Sequence, residues 1–131
     1  MFSHIMVGAT DIEASKAFYD ASLGAIGIGP GVFNPSPNGT KRYFYMTDTG
    51  IFAITEPLDG APATGANGGT IGFSVKSEAE GDAWHAAGAA NGGTPCEDAP
   101  GVREGSTGKM YLAYLRDPSG NKVCVLRRLP A

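Results

Sequence analysis

The chain carries one pattern twice, and that repeat limits what it can fold into more than any other feature. A constant offset carries His4 onto Thr70, Phe18 onto Trp84 and Tyr19 onto His85, and lays Ile5-Met6-Val7 on Ile71-Gly72-Phe73. The same shift lays Tyr45 on Tyr111. By Gly50 and Gly120 the offset has lengthened, the mark of a short insertion in the second copy. Neither copy is large enough to bury both faces of a sheet alone, so the two must pair to make a core.

In the first copy, residues 2–8 alternate as a strand does, with Phe2, His4 and Met6 on one face and Ile5 and Val7 on the other. Thr10-Asp11 predicts a helix cap. The apolar residues Ile12, Ala14, Ala17, Phe18, Ala21 and Leu23 recur at helical spacing, and Gly24 closes the helix. Strands are predicted over about 25–33, Arg42 to Thr47 and Ile51 to Glu56, the last two joined by Asp48-Thr49-Gly50. Pro57 to Gly69 has the composition of a linker.

The second copy follows the same plan. A strand over Thr70 to Lys76 leads to a helix capped by Ser77, with Ala79, Ala83, Trp84 and Ala87 facing inward and an end near Asn91-Gly92-Gly93. Strands follow over about 94–103, 109–116 and 121–127, and Asp117-Pro118-Ser119-Gly120 is the turn between the last two. The chain therefore reads as one domain over 1–131: a first module of about 1–56, a linker of about 57–69 and a second module of about 70–131. Its fold class is α+β, two βαβββ modules forming an incomplete barrel around a cleft, with the helices outside.

Composition narrows the partners. With 42% hydrophobic and 18% charged residues the chain is an ordinary globular one. Its net charge is −3, and its densest basic cluster is Arg127-Arg128, which argues against nucleic acid as a partner. No apolar run approaches a membrane span and no leader pattern opens the chain, so no membrane partner and a cytoplasmic location are expected. Cys96 and Cys124 are too few for a disulfide framework and too far apart for a CxxC motif, and are expected to stay reduced.

Several motifs carry a family resemblance. They are the opening His4-Ile5 with Thr10-Asp11, the helical Ser15-Lys16-Ala17-Phe18-Tyr19-Asp20, the stretch Ala90-Asn91-Gly92-Gly93 and the tail from Tyr111 to Lys122. The most specific is Arg116-Asp117-Pro118-Ser119-Gly120-Asn121. Together they resemble the vicinal oxygen chelate superfamily, which includes glyoxalase I, bleomycin-resistance proteins and extradiol dioxygenases. The resemblance spans essentially the whole chain. It implies a small-molecule ligand in the cleft and a homodimer, in some members with clefts built from both chains.

It also implies a divalent cation (Zn, Ni, Mn or Fe) on the first and last strands of each module, at His4, Ile54, Thr70 and Cys124. Only His4 has the chemistry usual there. Ile54 cannot coordinate, a threonine hydroxyl is a poor ligand, and a cysteine thiolate suits zinc or copper. No cofactor is therefore the expectation, with His4 the metal candidate if one binds. Glu56 shares strand parity with Ile54 and would replace it only in a slipped register.

The cleft-lining candidates are His4, Glu56, Thr70, Arg103, Tyr111 and Cys124. Arg103 follows a Pro-Gly loop and is suited to an anion, and Tyr111 to an aromatic wall. Tyr43 and Tyr45 share a face, whereas Tyr111 and Tyr114 lie on opposite faces. His85 reads as a partly exposed helix residue, and Asp11, Glu13 and Asp20 as capping and solubilising charges. There is no GxSxG, HExxH or phosphate-loop pattern. The function read from these residues is a glyoxalase/bleomycin-resistance-like protein handling a small molecule in its cleft. Its alternatives are a metal-dependent lyase, isomerase or dioxygenase, a metal-free ligand-sequestering protein, and a metal-free enzyme using Glu56, His4 or Tyr111 for proton transfer.

Overall fold

Both helices begin where their caps were expected. The structure, a computed structural model, describes residues 1–131. Asp11 accepts the Ala14 N–H at the start of α1 (Ile12–Gly24), and Ser77 accepts the Glu80 N–H at the start of α2 (Glu78–Ala90). The first module is β1 (His4–Gly8), α1, β2 (Val32–Phe33), β3 (Arg42–Thr47) and β4 (Gly50–Thr55). The second is β5 (Ile71–Ser74), α2, β6 (Thr94–Pro95), β7 (Gly101–Gly105), β8 (Gly108–Arg116) and β9 (Lys122–Arg128). No helix is long and apolar enough to cross a membrane.

Each module makes one sheet. The order is β1-β4-β3-β2 in the first and β5-β9-β8-β6 in the second, with β7 also paired to β8. β1 runs parallel to β4 and β5 parallel to β9, and the remaining pairs are antiparallel. The edges β1 and β5 are not hydrogen-bonded to each other, so the barrel stays open. Each helix covers one face of its own sheet. The helices also meet one another, so a single core holds Phe18, Tyr19, Leu23 and Trp84 from the helices with Phe52, Ile54, Leu115, Val123 and Val125 from the strands.

Four expectations change. The strand expected over 25–33 shrinks to Val32–Phe33, because α1 ends in a wrapped turn. There the N–H groups of Ile26 and Ile28 both reach the Leu23 carbonyl, and Gly27 sits at φ 86°. The strand expected over 94–103 splits into β6 and β7 around a bend at Glu97, where φ is 58°.

The buried stripe of α2 is Gly81, Trp84 and Gly88, while Ala79 and Ala83 are exposed. Close packing decides this: a Cβ on Gly81 would strike the Tyr111 ring, and one on Gly88 would lie 2.5 Å from Leu115 and 3.0 Å from Phe18. Finally, Ile5 pairs with Phe52 and Ile71 with Val123, and opposite these strands stand Tyr45 and Leu115. Leu115, not Tyr111, is therefore the counterpart of Tyr45.

Candidate functional site

The pleat of each sheet sorts the candidates between a helix-covered face and an uncovered one. On β1, Ile5 and Val7 join the core, leaving His4 beside Ile51 and Met6 beside Ala53 on the uncovered face. On the second sheet, Ile71 and Phe73 face the core, and Gly72 lies beside Cys124, which in turn lies beside Tyr114. His4 and Cys124 thus occupy uncovered faces, but of two different sheets.

The other candidates fall elsewhere. Ile54 is fully buried in the helix-side core, and register makes Ala53 the first-sheet counterpart of Cys124. Thr70 precedes β5 and is exposed. Glu56 follows the last pair of the β1–β4 ladder, so the register is not slipped. Its carboxylate accepts the Lys41 N–H at 2.8 Å, beside a polar groove with Thr10 and Thr40.

Tyr111 points to α2 and donates to Asp82 at 2.6 Å, on the face opposite Cys124. Of the six cleft candidates, only Cys124 and Arg103 are brought to a common neighbour, Tyr114.

That neighbour is not among the six candidates, although its strand parity sets it on the face opposite Tyr111. The Arg103 guanidinium lies 5.6 Å from the centroid of the Tyr114 ring and the Lys122 ammonium 5.0 Å from it. Arg103 is held in place by the carbonyls of Leu112 (2.7 Å), Asp98 (2.9 Å) and Gly101 (3.2 Å). Its Nε–H and one Nη2 hydrogen are not used by these carbonyls. Lys122 pairs with Glu97.

Cys124 is packed under Gly72, where an added Cβ would come within 3.2 Å of its Sγ. Burial pushes the Cys124 thiol up, with Lys122 opposing in part, so the free thiol stays protonated at neutral pH and is a poor nucleophile. Burial likewise raises the Tyr114 phenol. The parity that separates Tyr111 from Tyr114 was visible in the sequence, but not which of the two the helix covers.

The uncovered face of the first sheet is apolar. Met6 and Met46 are 39% and 59% exposed, and Phe44 lies under the Arg42 guanidinium at 5.1 Å. His4 meets Met6, Ile51 and Ala53 as strand neighbours, and its Nδ1 lies 2.8 Å from Ser3 Oγ. Nowhere do three His, Cys, Asp or Glu side chains converge. A catalytic zinc site takes about three protein ligands. The donor set around His4 does not fit a divalent cation.

The carboxylates of α1 have structural roles beyond solubility. Asp11 caps the helix as expected, but Glu13 accepts the Tyr43 hydroxyl at 2.7 Å. Asp20 accepts the Tyr45 hydroxyl at 2.8 Å and the Gly31 N–H at 2.9 Å.

Paired βαβββ modules with an open barrel and two uncovered sheet faces define a class of proteins, and comparison identifies the family. The chain belongs to the glyoxalase/bleomycin resistance protein/dioxygenase superfamily, whose family model matches residues 1–125. It is similar to a glyoxalase/bleomycin resistance protein from Albidiferax ferrireducens T118, at 60% identity and a TM-score of 0.92, covering 98% of this chain and 99% of that one. A glyoxalase/bleomycin resistance protein/dioxygenase family enzyme from Burkholderia phytofirmans PsJN shares the fold at 21% identity and a TM-score of 0.70, covering 97% and 98%. A lactoylglutathione lyase from Agrobacterium tumefaciens shares it at 23% identity and a TM-score of 0.63, covering 96% and 92%. Comparison with curated proteins gave no match.

Proposed function

We propose that this chain is a metal-free binding protein that holds a small planar anion against Tyr114, with Arg103 as its charge partner. The observation that carries the reading is the pairing of a cation-flanked tyrosine with a donor-poor His4. A planar ring stacks on Tyr114, and the two unused Arg103 hydrogens take a carboxylate. The protonated Cys124 beneath the ring offers shape rather than attack. The protein works in the cytoplasm as a homodimer: free Cys96 and Cys124 suit a reducing compartment, and the unpaired edges β1 and β5 suit association with a second copy.

The test combines elemental analysis of the purified protein, titration with zinc, nickel, manganese and iron, and a thermal-shift screen of aromatic carboxylates. The expected result is no stoichiometric metal, no turnover of a hemithioacetal or a catechol, and a melting temperature raised by an aromatic carboxylate. The rise should vanish in Arg103→Ala. A tightly bound stoichiometric metal that is lost in His4→Ala overturns the reading. Light scattering checks the dimer.

A further inference from the structure

The two ends of the repeat are not alike. At one end, the turn Asp117 to Asn121 of the second module is seated on the β1–α1 junction of the first. Ser119 Oγ accepts the Thr10 N–H at 3.0 Å, and Asn121 Nδ2 donates to the Gly8 carbonyl at 2.9 Å. At the other end stand the counterparts: the Asp48-Thr49 turn of the first module and the β5–α2 junction, with Ser74 in the place of Gly8 and Lys76 in the place of Thr10.

The ladders show why these do not meet. Two residues, Asp48 and Thr49, lie between the paired Thr47 and Gly50, against five, Asp117 to Asn121, between the paired Arg116 and Lys122. The short turn bonds within itself, Thr47 Oγ1 donating to the Gly50 carbonyl at 2.7 Å, and the Lys76 N–H turns instead to Glu80 Oε1 at 3.2 Å.

Where the long turn fills its end, the short one leaves a cavity of about 660 Å³. That lies in the range of small-molecule sites, roughly 300–1,000 Å³. Its walls include Leu23, Ile28, Phe52, Ile71 and Phe73, and the rings of Phe52 and Phe73 meet edge to face at 5.2 Å. Lys76, Asp48 and Glu80 also line it. His4 lines it as well, so Asp48 and Glu80 stand against Lys76 and an imidazole, charge of neither sign prevails, and no charged side chain sits among the apolar walls to hold an ion.

We propose that this inter-module cavity binds an uncharged, ring-bearing molecule with a single polar end, of the phenol or aryl alcohol class. The site is distinct from the Tyr114 face, and neither reading depends on the other.

The test is calorimetric titration of the full chain with naphthol and, in Arg103→Ala, which lacks the charge partner at Tyr114, with naphthol and its charged analogues naphthoate and naphthylmethylamine. Naphthol should bind saturably, and each charged analogue about tenfold more weakly or not at all, a difference near 1.4 kcal/mol. Thr49→Trp, at an exposed turn position that tolerates a large side chain, should fill the cavity and weaken naphthol by about tenfold or more. Arg103→Ala should leave naphthol unaffected. Absence of saturable naphthol binding, equal binding of a charged analogue, or wild-type binding by Thr49→Trp overturns the inference. Loss of naphthol binding in Arg103→Ala also overturns it, by placing the ligand on Tyr114, and leaves the binding function standing.

Discussion

The Tyr19 hydroxyl donates to Asp117 at 2.6 Å across the boundary between the two modules, with both residues buried. Asp117 also accepts the N–H groups of Ser119 and Asn121 and the Asn121 side-chain amide, each at 2.9 Å. The family's most specific motif is thus a joint between modules. Asp117→Ala would leave several buried donors unpaired, and should cost about 3 kcal/mol or more. Tyr19→Phe removes one donor and should cost about 1–2 kcal/mol. Urea unfolding checks both; an Asp117→Ala protein as stable as wild type would show that the joint is not a stabilising one.

The tyrosines set the alkaline limit of the fold. The hydrogen bond to Glu13 pushes the Tyr43 phenol up to about 12. Burial, reinforced by Asp20, Asp82 and Asp117 respectively, raises Tyr45, Tyr111 and Tyr19, and burial raises Tyr114 as well. A phenol whose folded pKa is raised contributes stability that is complete below its unfolded value, about 10, and is lost as pH climbs towards the folded one. All five tyrosines are in this state. Near-ultraviolet absorbance should therefore show almost no phenolate at pH about 10, and ionisation should come with unfolding at higher pH. A normal tyrosine titration in the folded protein would refute this.

The repeat and its caps were legible because they depend on local chemistry: Asp11, Ser77 and the alternation through β1 each dictate their own geometry. The overlay did not fix which strand residues are equivalent, because register is set by pairing between distant strands. Hence Tyr45 matched Tyr111 in sequence but Leu115 in the ladder, and Ile54 stood in for Ala53. The inward stripe of α2 was legible at Trp84 but not at its glycines, for a related reason. Alanine looks more apolar than glycine, yet at Gly81 and Gly88 the contact leaves no room for a methyl group. Tyr114 was not chosen over Tyr111 because only the position of α2 decides which of two tyrosines is covered.

The seam between the helices carries the last prediction. Ser15 and Ser22 are fully buried on α1, and neither hydroxyl has a hydrogen-bond partner. An unpaired buried hydroxyl is unfavourable, and alanine is the better helix former, so Ser15→Ala and Ser22→Ala should each be neutral or stabilise by up to about 1 kcal/mol. Gly88→Ala faces the same seam and should do the opposite. Its new methyl would meet Leu115 and Phe18, and overpacking of this kind costs about 1–3 kcal/mol. Thermal unfolding of the three variants side by side tests the seam directly, because propensity alone would make all three stabilising. If Gly88→Ala melts above wild type, the helices have room to move apart and the close contact at Gly88 does not limit their approach.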